Sequence, residues 1–240
     1  MNKKTKLFFL GLFVVLFLST IAYALPTGPV VTYISNTTLA SVSASRNEDA
    51  KGTITTVTMS ATQQDYKWKA YVGNVTGRFV LDDASAKAIY DWSLGSVTGK
   101  VFATRSSAVN WGSVSCVNQS VIDSEEGALG TTSSGTDSIN TTFNYTIHRN
   151  FLVGTLNITN SSCRSTYTYI NGTPQNSAEN ASFQEILLKD NVSSNLVYTT
   201  LINPGTLGYN GVSLYDFQML VAENESSNVP TTYFFYVELG

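Results

Sequence analysis

Between Trp68 and Trp92 the apolar side chains recur at every second position, and turn residues cut the run into strand-length pieces. Trp68, Ala70 and Val72 share one parity, with Lys67, Lys69 and Tyr71 on the other. Val75, Gly77, Phe79 and Leu81 alternate with Thr76, Arg78, Val80 and Asp82. After Asp82-Asp83-Ala84-Ser85 come Ala88, Tyr90 and Trp92, with Ile89 and Asp91 opposite. A period of two broken at Gly73-Asn74 and again at the Asp-Asp-Ala-Ser turn is the pattern of a β-meander, not of a helix.

The same reading extends along the chain. Val30–Ile34, the β-branched run Thr53–Ala61, Val97–Thr104 and Val109–Cys116 read as strands. The cleanest alternation is Ile139, Thr141, Phe143, Tyr145 and Ile147, followed by Leu152, Gly154, Leu156 and Ile158, with Arg149-Asn150 as the turn of a hairpin. Arg164–Ile170, Phe183–Lys189, Leu196–Ile202, Leu214–Val221 and Tyr233–Leu239 complete the set, and the second and third of these pair around Asp190–Asn195. Ser120–Gly127 is the one helical candidate, with Ser124 as cap and Glu125 and Glu126 in its first turn. About twelve strands with frequent turns and no fixed repeat predict an all-β fold: an antiparallel two-sheet β-sandwich in one domain, 25–240, with at most one or two short helical turns.

The N-terminus carries a different signal. Lys3, Lys4 and Lys6 precede an apolar run from Leu7 to Ala22, and Ala22-Tyr23-Ala24 supplies small residues at a cleavage site. This is the pattern of a secretory signal peptide over 1–24, and it predicts a secreted or cell-surface protein. Without the three leader lysines the chain has 11 of its 14 basic residues against 17 acidic ones, a net charge of −6. Such a balance argues against nucleic-acid partners, which need concentrated positive charge. The two cysteines, Cys116 and Cys163, are expected to form one disulfide in an oxidising compartment.

Eleven Asn-x-Ser/Thr sequons stand at Asn36, Asn74, Asn118, Asn140, Asn144, Asn157, Asn160, Asn171, Asn180, Asn191 and Asn224. Composition alone would give roughly five, so they are read as glycan acceptors, with Asn74, Asn140, Asn144 and Asn157 on outward strand faces. No catalytic or metal constellation is expected. His148 is the only histidine and has no nucleophile motif beside it. Asp82, Asp83 and Asp91, and Asp123 with Glu125 and Glu126, read as turn and helix-start acids; neither set has calcium-loop spacing, though a weak site near Asp82, Asp83 or Glu125 stays open. Among the aromatics, alternation places Trp68, Trp92, Tyr233 and Phe235 inward, and leaves Tyr71, Phe234 and Tyr236 as surface contacts for a sugar or a neighbouring subunit.

Several of these stretches together resemble a group of small secreted archaeal cell-surface proteins. The shared pattern is carried by Trp68-Lys69-Ala70-Tyr71-Val72-Gly73-Asn74-Val75-Thr76-Gly77, Leu81–Ser85, Tyr90-Asp91-Trp92 and the terminal Tyr233–Leu239. The resemblance implies a cell-surface β-sandwich without catalytic residues, and no cofactor is expected. The function expected is structural or adhesive, with other envelope proteins or copies of itself as partners and strand addition through Leu25–Ile34 as one means of assembly. The alternative is a carbohydrate-binding module that uses exposed aromatics.

Overall fold

The hairpin expected around Asp190–Asn195 lies at the centre of the molecule. In this computed structural model, which describes residues 24–45 and 48–240, β9 (Gln184–Asp190) and β10 (Leu196–Leu201) pair antiparallel from Leu196 opposite Lys189 to Thr200 opposite Glu185. Residues 1–23 of the expected leader lie outside that range. The Asp190 carboxylate closes the turn, accepting from the Val192 and Asn110 amides and the Ser193 hydroxyl. Burial works against its charge, yet these hydrogen bonds hold its carboxyl below the usual range.

Around this hairpin the main sheet is ordered β14–β4–β10–β9–β5, with β8 also on β9. The added strands are β4 (Gly99–Thr104), β5 (Val114–Cys116), β8 (Ser165–Tyr167) and β14 (Phe234–Leu239), all antiparallel to their neighbours. Strands β4, β9 and β10 are buried on both faces, and each face carries its own apolar cluster. One cluster gathers Val101, Ala103, Leu187 and Tyr198 under β1 (Trp68–Gly73) and β13 (Phe217–Ala222), which form a separate two-stranded sheet. The other gathers Phe102, Ile186, Leu188 and Val197 under the hairpin of β6 (Phe151–Val153) and β7 (Leu156–Ile158). Four more short strands complete the fourteen among the described residues: β2 (Arg78–Asp82) pairs with β3 (Ala88–Ser93), and β11 (Thr206–Leu207) with β12 (Leu214–Tyr215). The fold is thus all-β and antiparallel.

A buried ion pair locks the sheet's edge. Lys100 and Glu238 face each other in the β4–β14 register at 3.1 Å, and the same Glu238 Oε1 accepts from the Gly154 amide of the β6–β7 turn. Burial raises the Glu238 carboxyl pKa, with Lys100 opposing the shift. Gly154 sits at φ 55°, in the left-handed region that favours glycine.

Several expectations are corrected. The stretch Ile139–Ile147 is not a strand: Ile139–Thr142 forms a helical turn, α2, capped by Ser138 Oγ, which accepts from the Thr141 amide. Ile139 and Phe143 are both fully buried in the first cluster, and a spacing of four serves a helix as well as a strand. The hairpin that follows lies wholly within Phe151–Ile158 and turns at Gly154-Thr155, not at Arg149-Asn150. The helical candidate is longer than expected, α1 (Gln119–Leu129), and its cap is Asn118, whose Oδ1 accepts from the Val121 amide. Gly130 ends it in the left-handed region. Glu125 and Glu126 are therefore mid-helix and buried, the first bridged to Arg105 at 2.7 and 2.8 Å, the second accepting from the Asn140 amide.

The meander is also revised. β2 and β3 pair, but β1 pairs with β13, far along the chain, from Trp68 opposite Ala222 to Gly73 opposite Phe217. Lys69 and Tyr71 lie opposite the buried Val221 and Met219, Trp68 packs on the first cluster as expected, and Ala70 is exposed. Val30–Ile34 and Thr53–Ala61 carry no strand assignment and are exposed throughout. Of Leu25–Ile34, only Thr27 pairs, through two backbone hydrogen bonds to Val237 of β14.

Candidate functional site

Among the paired strands, solvent-facing apolar surface is concentrated in the β2–β3 hairpin. Every residue of both strands is exposed. The register sets Phe79 opposite Trp92 and Leu81 opposite Tyr90, so these four side chains stand on one face. Their exposures are 38, 50, 57 and 59%, in the order Phe79, Trp92, Leu81, Tyr90. The Tyr90 and Trp92 rings meet edge to face at 4.9 Å. Local chemistry makes this shape. Asp83 Oδ1 accepts from the Ser85 and Lys87 amides at the turn, and Ala86 takes φ 57° there. Arg78 and Asp91 pair at 2.7 Å. The hairpin therefore presents an apolar platform built before any partner is met. Trp92, expected inward, is part of it.

Of the three aromatics expected to face outward, one is exposed and two are half-buried. Phe234 presents to solvent. Tyr71 is half-buried against Phe235, edge to face at 4.9 Å, and packs on the first cluster. Tyr236 is half-buried against Trp111, with its hydroxyl donating to the Ser106 carbonyl. The platform was missed because its alternation is identical to that of a strand with a buried face; only its lack of cover distinguishes it.

The chain matches no known family, curated protein or solved structure.

Five of the six carboxylates named in the sequence have local partners, Glu126 through the Asn140 amide. Asp83 holds its turn, Asp91 faces Arg78, Asp123 accepts from the Gln119 side chain, and Glu125 faces Arg105. Among the described residues no group of three or more His, Cys, Asp or Glu side chains is gathered for a metal ion. The hollows at Arg105, Leu129 and Thr231 and at Pro29, Val31 and Phe234 are shallow.

Cys116 and Cys163 are joined as a disulfide with Cα atoms 4.9 Å apart. His148 sits beside it, fully buried. Its Nε2 lies 3.1 Å from the Ser162 amide and 3.0 Å from the Cys163 amide, and its Nδ1 lies 2.9 Å from the Arg149 carbonyl. Amides only donate and carbonyls only accept, so the ring is the neutral Nδ1–H tautomer. It is a structural clasp on the disulfide strand. Burial lowers its pKa, against the hydrogen bond to Arg149. A base held neutral in this way contributes stability above its unfolded pKa of about 6.5, and that stability is lost as pH falls through the lower folded value. The single imidazole gives one uniquely assigned NMR resonance, and its titration midpoint is expected below that of a free histidine; a midpoint at or above it would contradict the clasp.

All the sequons except Asn140 and Asn224 are on exposed residues. Asn157 is on β7 and faces outward, whereas Asn74 follows β1, Asn140 is in α2 and Asn144 follows it. Asn118 and Asn191 both use Oδ1 as an acceptor, from the Val121 amide and from Ser115 Oγ, and so leave Nδ2, the glycan-bearing atom, outside those bonds.

Proposed function

We propose that this protein is a secreted, N-glycosylated component of the cell envelope with a structural or adhesive role, which works by associating with copies of itself. The observation that carries this reading is the platform of Phe79, Leu81, Tyr90 and Trp92. A soluble monomer rarely leaves a contiguous apolar patch of this kind uncovered, and such patches mark interaction surfaces. Support also comes from the leader pattern, from the exposed sequons and from the resemblance to archaeal cell-surface proteins. The reading assigns no catalytic step and no cofactor.

Replacing Tyr90 and Trp92 together by serine tests it. Both side chains are exposed, so the fold is expected to persist, with its melting temperature within a degree or two of wild type. Self-association measured by sedimentation velocity is expected to weaken at least tenfold. Unchanged association would remove the platform from the interface.

The second reading is a carbohydrate-binding module. It is favoured by one feature, the adjacent Tyr90 and Trp92 rings on an open face, a form suited to stacking on a sugar ring. A glycan array distinguishes it: saturable binding by the wild type that the same variant loses would favour a sugar ligand over a protein neighbour.

A further inference from the structure

The two-stranded sheet β1–β13 has one open edge. On β13, the Leu220 amide donates to Glu185 Oε2 and the Ala222 amide reaches the Tyr198 hydroxyl, so that edge is closed by side chains of the main sheet. On β1, Lys67 and Gly73 point their carbonyls at β13, accepting from the Glu223 and Asp216 amides. The alternate residues Trp68, Ala70 and Val72 point theirs the other way. No hydrogen bond among the described residues reaches the backbone groups of those three. The neighbouring core is also incompletely covered there: Tyr71, Val75, Phe235, Val237 and Leu239 pack on the first cluster but remain half-buried.

Edges of this kind are usually blunted by lysine, proline or a bulge. Here Lys67 is tied back to Asp137 at 3.0 Å and Lys69 to Glu223, so neither lysine stands across the edge.

The same chain holds a strand without a partner. Thr53–Ala61 begins with six β-branched residues in succession and contains no charge, proline or glycine. It is exposed from end to end, with Ile54 at 100% and Met59 at 87%. Nine extended residues span about 30 Å, enough to run the length of six-residue β1. In the single chain no backbone hydrogen bond among the described residues joins this segment to its own β1. Asp65 Oδ1 accepts from the Lys67 amide at a bend just before the strand, and Gln64 Oε1 accepts from the Leu39 amide.

We propose that Thr53–Ala61 of a second copy adds to the open edge of β1, beside Trp68, Ala70 and Val72, and covers Tyr71 and Phe235. This rests on the self-association reading and adds a second contact to the platform: main-chain hydrogen bonds supply affinity, and alternate side chains fit the half-covered core. It also moves the donor from Leu25–Ile34, because Thr27 is already seated on β14 of its own chain.

Cysteine pairing in the full chain, with Cys116 and Cys163 retained, tests this. One copy carries Ala70→Cys; an isotope-labelled copy carries cysteine at one position of Thr53–Ala61 in turn. Cross-links between labelled and unlabelled copies are expected to rise and fall with a period of two along the segment. Links confined to one chain in an Ala70→Cys double variant would show the segment closing on its own copy, and would overturn the proposal. In parallel, Thr56→Pro should weaken self-association at least tenfold, whereas Ser43→Pro, outside the segment, should not. Association without cross-links and indifferent to Thr56→Pro would overturn the donor while leaving self-association intact. A chain that never associates would overturn both.

Discussion

Replacing both Cys116 and Cys163 by alanine is expected to destabilise the protein by about 4 kcal/mol on the chain-entropy model. The bridge joins positions 47 residues apart, and α1, α2 and the β6–β7 hairpin all lie in the loop it closes. It fixes β5, at the end of the main sheet, to the segment leading into β8, and so removes much of the unfolded chain's freedom. For a chain of this size about 4 kcal/mol corresponds to a fall in Tm of roughly 8–16 °C. Calorimetry with and without a reductant gives a second measure on the unaltered chain. A Tm unmoved by either treatment would mean that the clasp of His148 and the second cluster hold the loop unaided.

Phe143→Ala is expected to destabilise the protein by about 3–5 kcal/mol, the range for deleting a fully buried ring. Phe143 is completely buried, with its ring centroid 6.2 Å from Trp68 and 6.0 Å from Tyr198. It therefore joins α2 to both β1 and β10, and its loss leaves a void where those elements meet. Urea unfolding measures the effect. Trp92→Ala is the contrast: a larger side chain is removed, yet stability should change by no more than about 0.5 kcal/mol, because its surface is exposed in the folded chain. Equal losses from the two variants would contradict the division between core and platform.

Much of the fold was legible where local pattern and tertiary partner coincide. The β9–β10 hairpin was read in both position and pairing, since its turn chemistry and two short apolar runs lie together in the chain. β1 was read as a strand but not as the partner of β13, because nothing local encodes a pairing across that separation. Ile139 and Phe143 misled because a spacing of four satisfies both periods, and the cap at Ser138 decided between them. In α1 the stripe Val121, Glu125, Leu129 was hidden by a buried acid, which Arg105 makes tolerable. The candidate surface was the least legible. Phe79, Leu81, Tyr90 and Trp92 alternate as a core-facing hairpin would, and Thr53–Ala61 has a strand's composition; both are exposed because the single chain supplies nothing to cover them.

Negative-stain electron microscopy of the protein recovered from its native envelope, with mass spectrometry of the same sample, tests self-association most directly. Filaments or a regular lattice, built from chains that begin near Leu25 and carry glycans, are the expected result. Dispersed monomers at every concentration examined would contradict it.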